Sequence, residues 1–444
     1  MIEISAGTLA VVGFAMILVG ILAGFPIAWI LGGVSVITGF LFWGPQCFDA
    51  FYHQMYGLVS NYILLAIPLF IFMGAMIEES GIGKKLFDTV YIMFGRLRGG
   101  IAITVIIVGT MLATCLGIIA GSTVMLTIVA LPAMLQHGYD KPLSCGSVCA
   151  SGCLGIFIPP SILLVIYGPV AGISVGKLFM GSFTAGFMLA ALYLAYISIR
   201  SFLNPRLTPA IPREERIVSF RVKTRMFISS AVPLLVLIFS VLGVIYTGIA
   251  APTEAAAMGA VAATIIAAAY RRLNYETLKG SCHRAFDATV MVIYTCIGAA
   301  MFQSVFMALG GGDYFTALVL SAPGGRWGVF AITMAILLFL GMFIPDIAMI
   351  LIMVPLVTPV AARLGFDEVW FAVMFNMNLQ FSFMTPPYAQ AIFFLKGAVD
   401  PNLGVTTGDI IKGVVPFLGV IALGIGLCVA FPQIVTWLPS TMIK

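Results

Sequence analysis

His137-Gly138-Tyr139-Asp140 recurs as Leu364-Gly365-Phe366-Asp367, 227 positions later. The same offset carries Pro132 to Pro359 and Pro159-Pro160 to Pro386-Pro387. After a short insertion, Ile173-Ser174-Val175-Gly176 with Gly181 recurs as Val405-Thr406-Thr407-Gly408 with Gly413. Matches at Gly, Pro and Asp carry weight because these residues do not dominate the composition. Of the 444 residues, 61% are apolar and only 9% are charged, against roughly 25% charged in a soluble domain. Such a chain is neither a soluble enzyme, a nucleic-acid binder nor a disordered linker. Apolar stretches of spanning length run from end to end, so the repeat belongs to an all-α polytopic membrane protein.

Those stretches fall near 5–24, 26–43, 57–77, 101–117, 143–169, 174–199, 227–249, 253–270, 286–309, 328–345, 370–397 and 413–437. Residues 118–136 and 346–361 are also apolar but follow another run with almost no polar loop. They read as returning halves of re-entrant hairpins, near 101–136 and 328–361. Lys84–Arg96 and Asp313–Ala322 are too short to cross and suit helices lying in the interface. The first ten residues lack a basic stretch and a small-residue cleavage site, so the first run is expected to be a retained span. The organisation expected is N-terminal scaffold spans over 1–56, a first transport repeat over 57–199 and a basic cytoplasmic loop over 200–226. Central scaffold spans over 227–285 and a second repeat over 286–444 follow.

Charge gives the orientation. Arg200, Arg206, Arg213, Arg216, Arg221, Lys223 and Arg225 cluster in one connection, with Glu214 and Glu215, and Arg271, Arg272, Lys279 and Arg284 in another. Both connections read as cytoplasmic. The last span of the first repeat runs into the first of these clusters, whereas its counterpart ends in a tail whose one cation is Lys444. The repeats are therefore expected to be inverted, with interrupted helices, as in secondary transporters whose sites lie at the midplane where the copies meet.

Asp346 follows Pro345 inside the apolar stretch Val329–Pro359, with no cation nearby in sequence. A carboxylate there faces a cavity, a partner or a bound cation, or else caps the helix restarting after the proline. The comparable place in the first repeat holds Gly121-Ser122-Thr123, three residues out of the 227 register. Its glycine permits a break, and its hydroxyls supply oxygens to a site or bond back to the preceding turn. Ile158-Pro159-Pro160-Ser161 and Met384-Thr385-Pro386-Pro387 each remove two backbone donors and free carbonyls upstream. Together these oxygens suit a hard cation such as Na⁺, while half-helix N-termini across the same breaks favour an anion; kinks for packing alone are the other possibility. Before the second break lie Asn376, Asn378, Gln380 and Ser382, of which Asn378 with Ser382, or Gln380, are expected to reach the site.

Glu254, after Ala251-Pro252-Thr253, reads as a helix start. The cysteines, mostly inside apolar runs, read as small packing residues. His53, His137 and His283 form no catalytic constellation, and no nucleophile-elbow, Walker or zinc-protease motif occurs, so ATP-driven pumping by this chain is unsupported.

Several motifs in order resemble the large membrane subunit (M, or DctM-type) of tripartite ATP-independent periplasmic, or TRAP, transporters. They are Gly24-Phe25-Pro26-Ile27-Ala28, Ala66-Ile67-Pro68-Leu69-Phe70 leading to Met73-Gly74, Gly138-Tyr139-Asp140, Ile158-Pro159-Pro160-Ser161, Ala251-Pro252-Thr253-Glu254-Ala255 and Thr385-Pro386-Pro387. The resemblance implies an elevator-type secondary transporter in a bacterial inner membrane, importing an organic acid with Na⁺ coupling and without any organic cofactor. It implies a small Q-type membrane subunit of about four spans, and a periplasmic P-type binding protein that delivers substrate. By the resemblance sodium would be held by Ser122 and its neighbours Gly121 and Thr123, Ser161, Asp346 and Thr385; on the reading of the residues themselves, Pro159, Asn378, Gln380, Ser382 and Pro386 are expected to contact the substrate. A binding-protein-independent Na⁺/dicarboxylate carrier, or a channel or structural membrane subunit, are the other classes such a sequence could serve.

Overall fold

The computed structural model describes residues 5–210 and 219–442, so Arg213, Glu214, Glu215, Arg216 and Lys444 lie outside the described residues. Among the described residues regular structure is entirely helical. Helices α1 (Ala6–Leu22), α2 (Ile27–Phe42) and α3 (Cys47–Val59) precede a 3₁₀ turn, Tyr62–Leu65, and α4 (Ala66–Glu79). Then come α5 (Ile82–Phe94), α6 (Gly100–Leu116), α7 (Ile119–Gln136), α8 (Lys141–Cys153), α9 (Ile162–Ala171) and α10 (Val175–Leu203). Helices α11 (Phe220–Tyr246), α12 (Pro252–Ala269) and α13 (Tyr275–Ala308) form the central part. The last group is α14 (Gly311–Leu320), α15 (Gly325–Gly341), α16 (Asp346–Arg363), α17 (Glu368–Met384), α18 (Gln390–Ala398), α19 (Thr407–Ala430) and α20 (Gln433–Ser440). Among the described residues, eight helical segments are long and apolar enough to cross a membrane by length and composition.

The 227-residue offset governs the architecture. Helix α7 begins at Ile119 and ends at Gln136; α16 begins at Asp346 and ends at Arg363, both 227 further on. The turns that follow are built alike. Gly138 and Gly365 take φ of +74° and +67°, which a side chain resists. Asp140 Oδ2 then accepts the Leu143 N–H at 3.1 Å, and Asp367 Oδ1 accepts the Trp370 N–H at 2.8 Å, capping α8 and α17. This is why the glycine and the aspartate persist where the apolar residues between the copies drift.

The runs at 143–169 and 370–397 are not continuous spans. Each is broken at its Pro-Pro pair, into α8 and α9 and into α17 and α18, and both Pro–Pro peptide bonds are cis. Helix α3 was not expected from hydropathy, because its four aromatics alternate with polar residues. Helix α13 starts eleven residues earlier than its apolar run, since Tyr275–Arg284 is helical but polar.

The repeats are inverted. Lys141, at the start of α8, donates from Nζ to the Gly404 carbonyl just before α19, at 2.7 Å. At the other end of α19, the Trp370 indole of α17 donates to the Cys428 carbonyl at 2.9 Å. The 24 residues of α19 span about 36 Å at 1.5 Å per residue, so α8 and α17 start on opposite sides. The α8 side is the basic one: Asp140 N–H donates to the Leu207 carbonyl and Gly99 N–H to that of Thr208, both beside Arg206. Arg284 pairs with Glu78 and Glu79 at the end of α4, and Lys85 lies over the Tyr270 ring at 4.2 Å. That face is cytoplasmic by the charge rule.

The copies also interlock. Gly413 of α19 packs where a Cβ would come within 2.0 Å of the Pro142 carbonyl, and Gly146 of α8 where one would meet the Gly413 carbonyl at 2.0 Å. In the other half, Gly181 of α10 packs on Val369 and Val373 of α17, the register partners of Pro142 and Gly146. Each copy thus lays its last long helix across the broken helix of the other. Helix α4 packs most extensively on α12 and α13.

Glu254 Oε2 accepts the Ala251 N–H at 2.8 Å, closing the first turn of α12. Glu254→Ala should lower thermal stability slightly, by roughly 0.5–1 kcal/mol, with uptake unchanged; a calorimetric scan of the purified protein reads it.

Candidate functional site

Each hairpin tip sits on the Pro-Pro break of its own repeat. In the first copy, α6 ends at Leu116, Gly117 turns with φ +65°, and α7 restarts at Ile119. A Cβ on Gly117 would approach the Pro160 carbonyl to 3.0 Å, and one on Gly155 the Ile118 carbonyl to 3.1 Å. Ser122 is fully buried; its hydroxyl lies 3.0 Å from the Gly152 carbonyl and 3.2 and 3.3 Å from those of Ile118 and Ile119. Thr123 is equally buried, against Gly152, and its hydroxyl has no hydrogen-bond partner. Ser161 donates to the Ile156 carbonyl across the break. Gly121 and Pro159 lie beside these groups in the chain, with Gly121 half-buried and Pro159 buried.

In the second copy, Tyr388 N–H donates to the Met342 carbonyl at 3.1 Å, tying the break to the tip. Asp346 is the first residue of α16 and is half-buried; its Oδ1 accepts the Ile347 N–H at 2.9 Å, and the Gln390 side chain lies close to the carboxylate. The Tyr388 hydroxyl lies close to Gln390, so an amide and a phenol gather near the carboxylate. Thr385 bonds back to the Phe381 carbonyl at 2.8 Å, and Pro386 is exposed beside it.

The amide-rich helix α17 divides into two faces. Asn378 donates to the Met334 carbonyl at 2.9 Å, and Ser382 lies 3.3 Å from that of Leu338, so both grip α15 of the hairpin. Gln380 faces elsewhere: it is fully buried, and neither end of its amide finds a hydrogen-bond partner. Asn376, one turn before it, bonds the Ala372 carbonyl and leaves its own oxygen unmatched.

Gln390 and Tyr388 escaped the sequence reading. Their only signal was two polar groups at the start of an apolar stretch, immediately after a Pro-Pro pair already attracting attention. Strict register also places Ile119, rather than the Gly121–Thr123 run, opposite Asp346. The two tips are therefore chemically unequal: hydroxyls and carbonyls in one, a carboxylate in the other.

Two inverted hairpin-and-break units in an all-helical multi-pass chain define a membrane permease of the secondary-transporter class. Residues 14–434 match the family described as tripartite ATP-independent periplasmic transporter, DctM component. The C4-dicarboxylate TRAP transporter large permease of Rhodobacter capsulatus is 32% identical over 97% of both chains. The sialic acid TRAP transporter permease SiaT of Haemophilus influenzae is 30% identical over 95% of this chain and 66% of its own length. The chain belongs to the DctM family of large TRAP permease subunits; it is a transport protein of the bacterial inner membrane and not an enzyme. The crystal structure of the Alcanivorax borkumensis YdaH transporter shares the fold, with a TM-score of 0.62 at 14% identity over 92% of this chain and 98% of that one.

Proposed function

We propose that this subunit imports an organic acid with sodium as the coupling ion. The observation that carries the reading is the pair of hairpin tips seated on Pro-Pro breaks, each surrounded by oxygen donors. In the first copy the carbonyls of Ile118, Ile119 and Gly152, the Ser122 hydroxyl and the unpartnered Thr123 hydroxyl suit a small hard cation, and nitrogen and sulfur ligands are missing from the group. In the second, Asp346 supplies the one carboxylate, with Thr385 nearby in sequence. The cargo is taken as a carboxylate because relatives are named for C4-dicarboxylates and for sialic acid, which share that group.

Each sodium held at a tip would join the hairpin to its break, so that binding and release gate access. The two interlocked copies would then move together past α11, α12 and α13, as an elevator. A small membrane subunit and a periplasmic binding protein complete the system, in keeping with the tripartite family description. The test is reconstitution with both partners and a sodium gradient. Accumulation of an acid that needs inward sodium and the binding protein supports the reading; accumulation without the binding protein favours an independent carrier, and downhill flux alone a channel.

A site-specific check needs no cargo. Sodium that binds the folded state raises its stability by mass action, so wild-type protein should melt at higher temperature in NaCl than in KCl. Ser122→Ala and Thr123→Val should each weaken sodium binding about three- to tenfold, an amount matching the net value of one hydrogen-bonding group. In potassium Thr123→Val should melt no lower than wild type, because its hydroxyl satisfies nothing in the protein. An undiminished sodium shift in both variants would move the ion elsewhere.

A further inference from the structure

A cleft of about 270 Å³ lies apart from the two tips. Three helix faces converge on it. Gln54, Gly57, Leu58 and Asn61 recur at helical spacing along α3 and the turn after it; Cys296, Ala300 and Gln303 form one face of α13; Ile166, Pro169 and Val170 form one face of α9. Leu351 of α16 closes the fourth side. One wall thus comes from α3 and α13, the other from a half-helix after the first break and the returning half of the second hairpin.

Its depth follows from α13. Arg284 stands at the cytoplasmic end, so Cys296 lies about 18 Å and Gln303 about 28 Å up the helix at 1.5 Å per residue. The cleft therefore opens at the outer face and ends near the midplane. There Cys296 shares the cleft wall with Leu351 of α16, the helix that Asp346 begins. The Gln303 amide is half-buried on a membrane helix and the Gln54 amide is exposed, and among the described residues neither makes a hydrogen bond to the protein. Polar side chains at that position are costly and need a counterpart. The lining holds no charged residue at all.

We infer that this cleft is the outer vestibule of the cargo path, and that Gln54 and Gln303 select an acid bearing a hydroxyl group beside its carboxylate over the plain aliphatic acid of the same size. The inference rests on the transport reading and names the cargo chemistry of that same route. Amides both donate and accept, so they match a hydroxyl and a carboxylate oxygen without holding the anion as a cation would. A site that must release its cargo inward is better served by such weak, uncharged contacts. The volume admits a small acid and little more.

The experiment uses the complex with its small subunit in proteoliposomes, with Cys282→Ser and Cys296→Ala as background, since Cys282 is the exposed thiol. Gln303→Cys, Gly57→Cys and Ala299→Cys are then modified from outside by a membrane-impermeant methanethiosulfonate. Gly57 is exposed at the cleft and has room for a side chain, whereas Ala299 is fully buried on the same helix as Gln303. Gln303→Cys and Gly57→Cys should react at least tenfold faster than Ala299→Cys. With sodium present, malate should slow the reaction at Gly57→Cys more than succinate does, and lactate more than propionate. Equal rates at all three positions overturn the vestibule. Equal protection by hydroxylated and plain acids, or none from an acid that the unmodified complex takes up, overturns the selectivity. Fast labelling in a complex that accumulates none of the four acids counts instead against the transport reading, and the cargo assignment falls with it.

Discussion

Asp346→Asn should leave the permease folded and abolish sodium-dependent uptake. Asparagine keeps the size of the side chain and an oxygen able to accept the Ile347 N–H, now at 2.9 Å from the carboxylate. It removes the charge. Interactions of an ionised group are worth about 1.5–3 kcal/mol, so sodium affinity at this tip should fall roughly tenfold to hundredfold. The reading that Asp346 only caps α16 makes a different forecast, and Asp346→Ser separates the two. Asp346 is the first residue of α16, with Pro345 at the cap position, so a purely local role rests on its bond to the Ile347 N–H. A serine hydroxyl can accept that bond too, and the local role predicts that the serine variant transports normally, whereas a cation role predicts failure in both. Gln390→Leu adds a third point: the amide close to the carboxylate is lost while the charge stays. A several-fold rise in the sodium concentration for half-maximal uptake is expected. Initial rates across a sodium series, with the protein checked by size-exclusion chromatography, decide among these outcomes. Unchanged sodium dependence in Asp346→Asn would remove this residue from the site.

The sequence made the repeat legible because its markers are residues that backbone geometry demands. Gly138 and Gly365 hold a left-handed turn, Asp140 and Asp367 cap the helices that follow, and the proline pairs interrupt the next helix. Such residues survive while the apolar filling between the copies drifts. Asp346 stood out for another reason, the cost of a carboxylate within an apolar stretch. What escaped was whatever depends on contacts between distant segments. The bond from the Tyr388 N–H to the Met342 carbonyl joins the hairpin to the break, 46 positions apart, and no local pattern marks it. The opposite faces of Asn378 and Gln380 follow from helical spacing, yet which face meets α15 is decided only by packing. Helix α3 was missed because its aromatic and polar residues mimic a loop in a hydropathy reading, although Gln54, Gly57, Leu58 and Asn61 already recur on one helical face.

Gly146→Ala and Gly413→Ala should each destroy the folded permease, a larger effect than any substitution of a polar group outside the tips. At this crossing α8 and α19 touch backbone to backbone: the added methyl would lie 2.0 Å from the Gly413 carbonyl in one variant and 2.0 Å from the Pro142 carbonyl in the other. No side chain can swing aside there, so the helices themselves must separate. Overpacking that side chains absorb costs about 1–3 kcal/mol; displacement of two backbones exceeds that, against a total stability of only about 5–15 kcal/mol. The contact is also the one by which the second copy grips the first, so its loss disconnects the two halves that the proposed mechanism moves together. Glycine elsewhere on the same helix supplies the control. At Gly419 an added methyl group would meet nothing within 4 Å, and Gly419→Ala should match or slightly exceed wild-type stability, since alanine favours the helix by about 1 kcal/mol. Fluorescence-detected size-exclusion after mild heating reads all three. A monodisperse Gly146→Ala protein with an unaltered melting temperature would mean that α8 and α19 do not cross this closely, and the interlocking of the repeats would have to be redrawn.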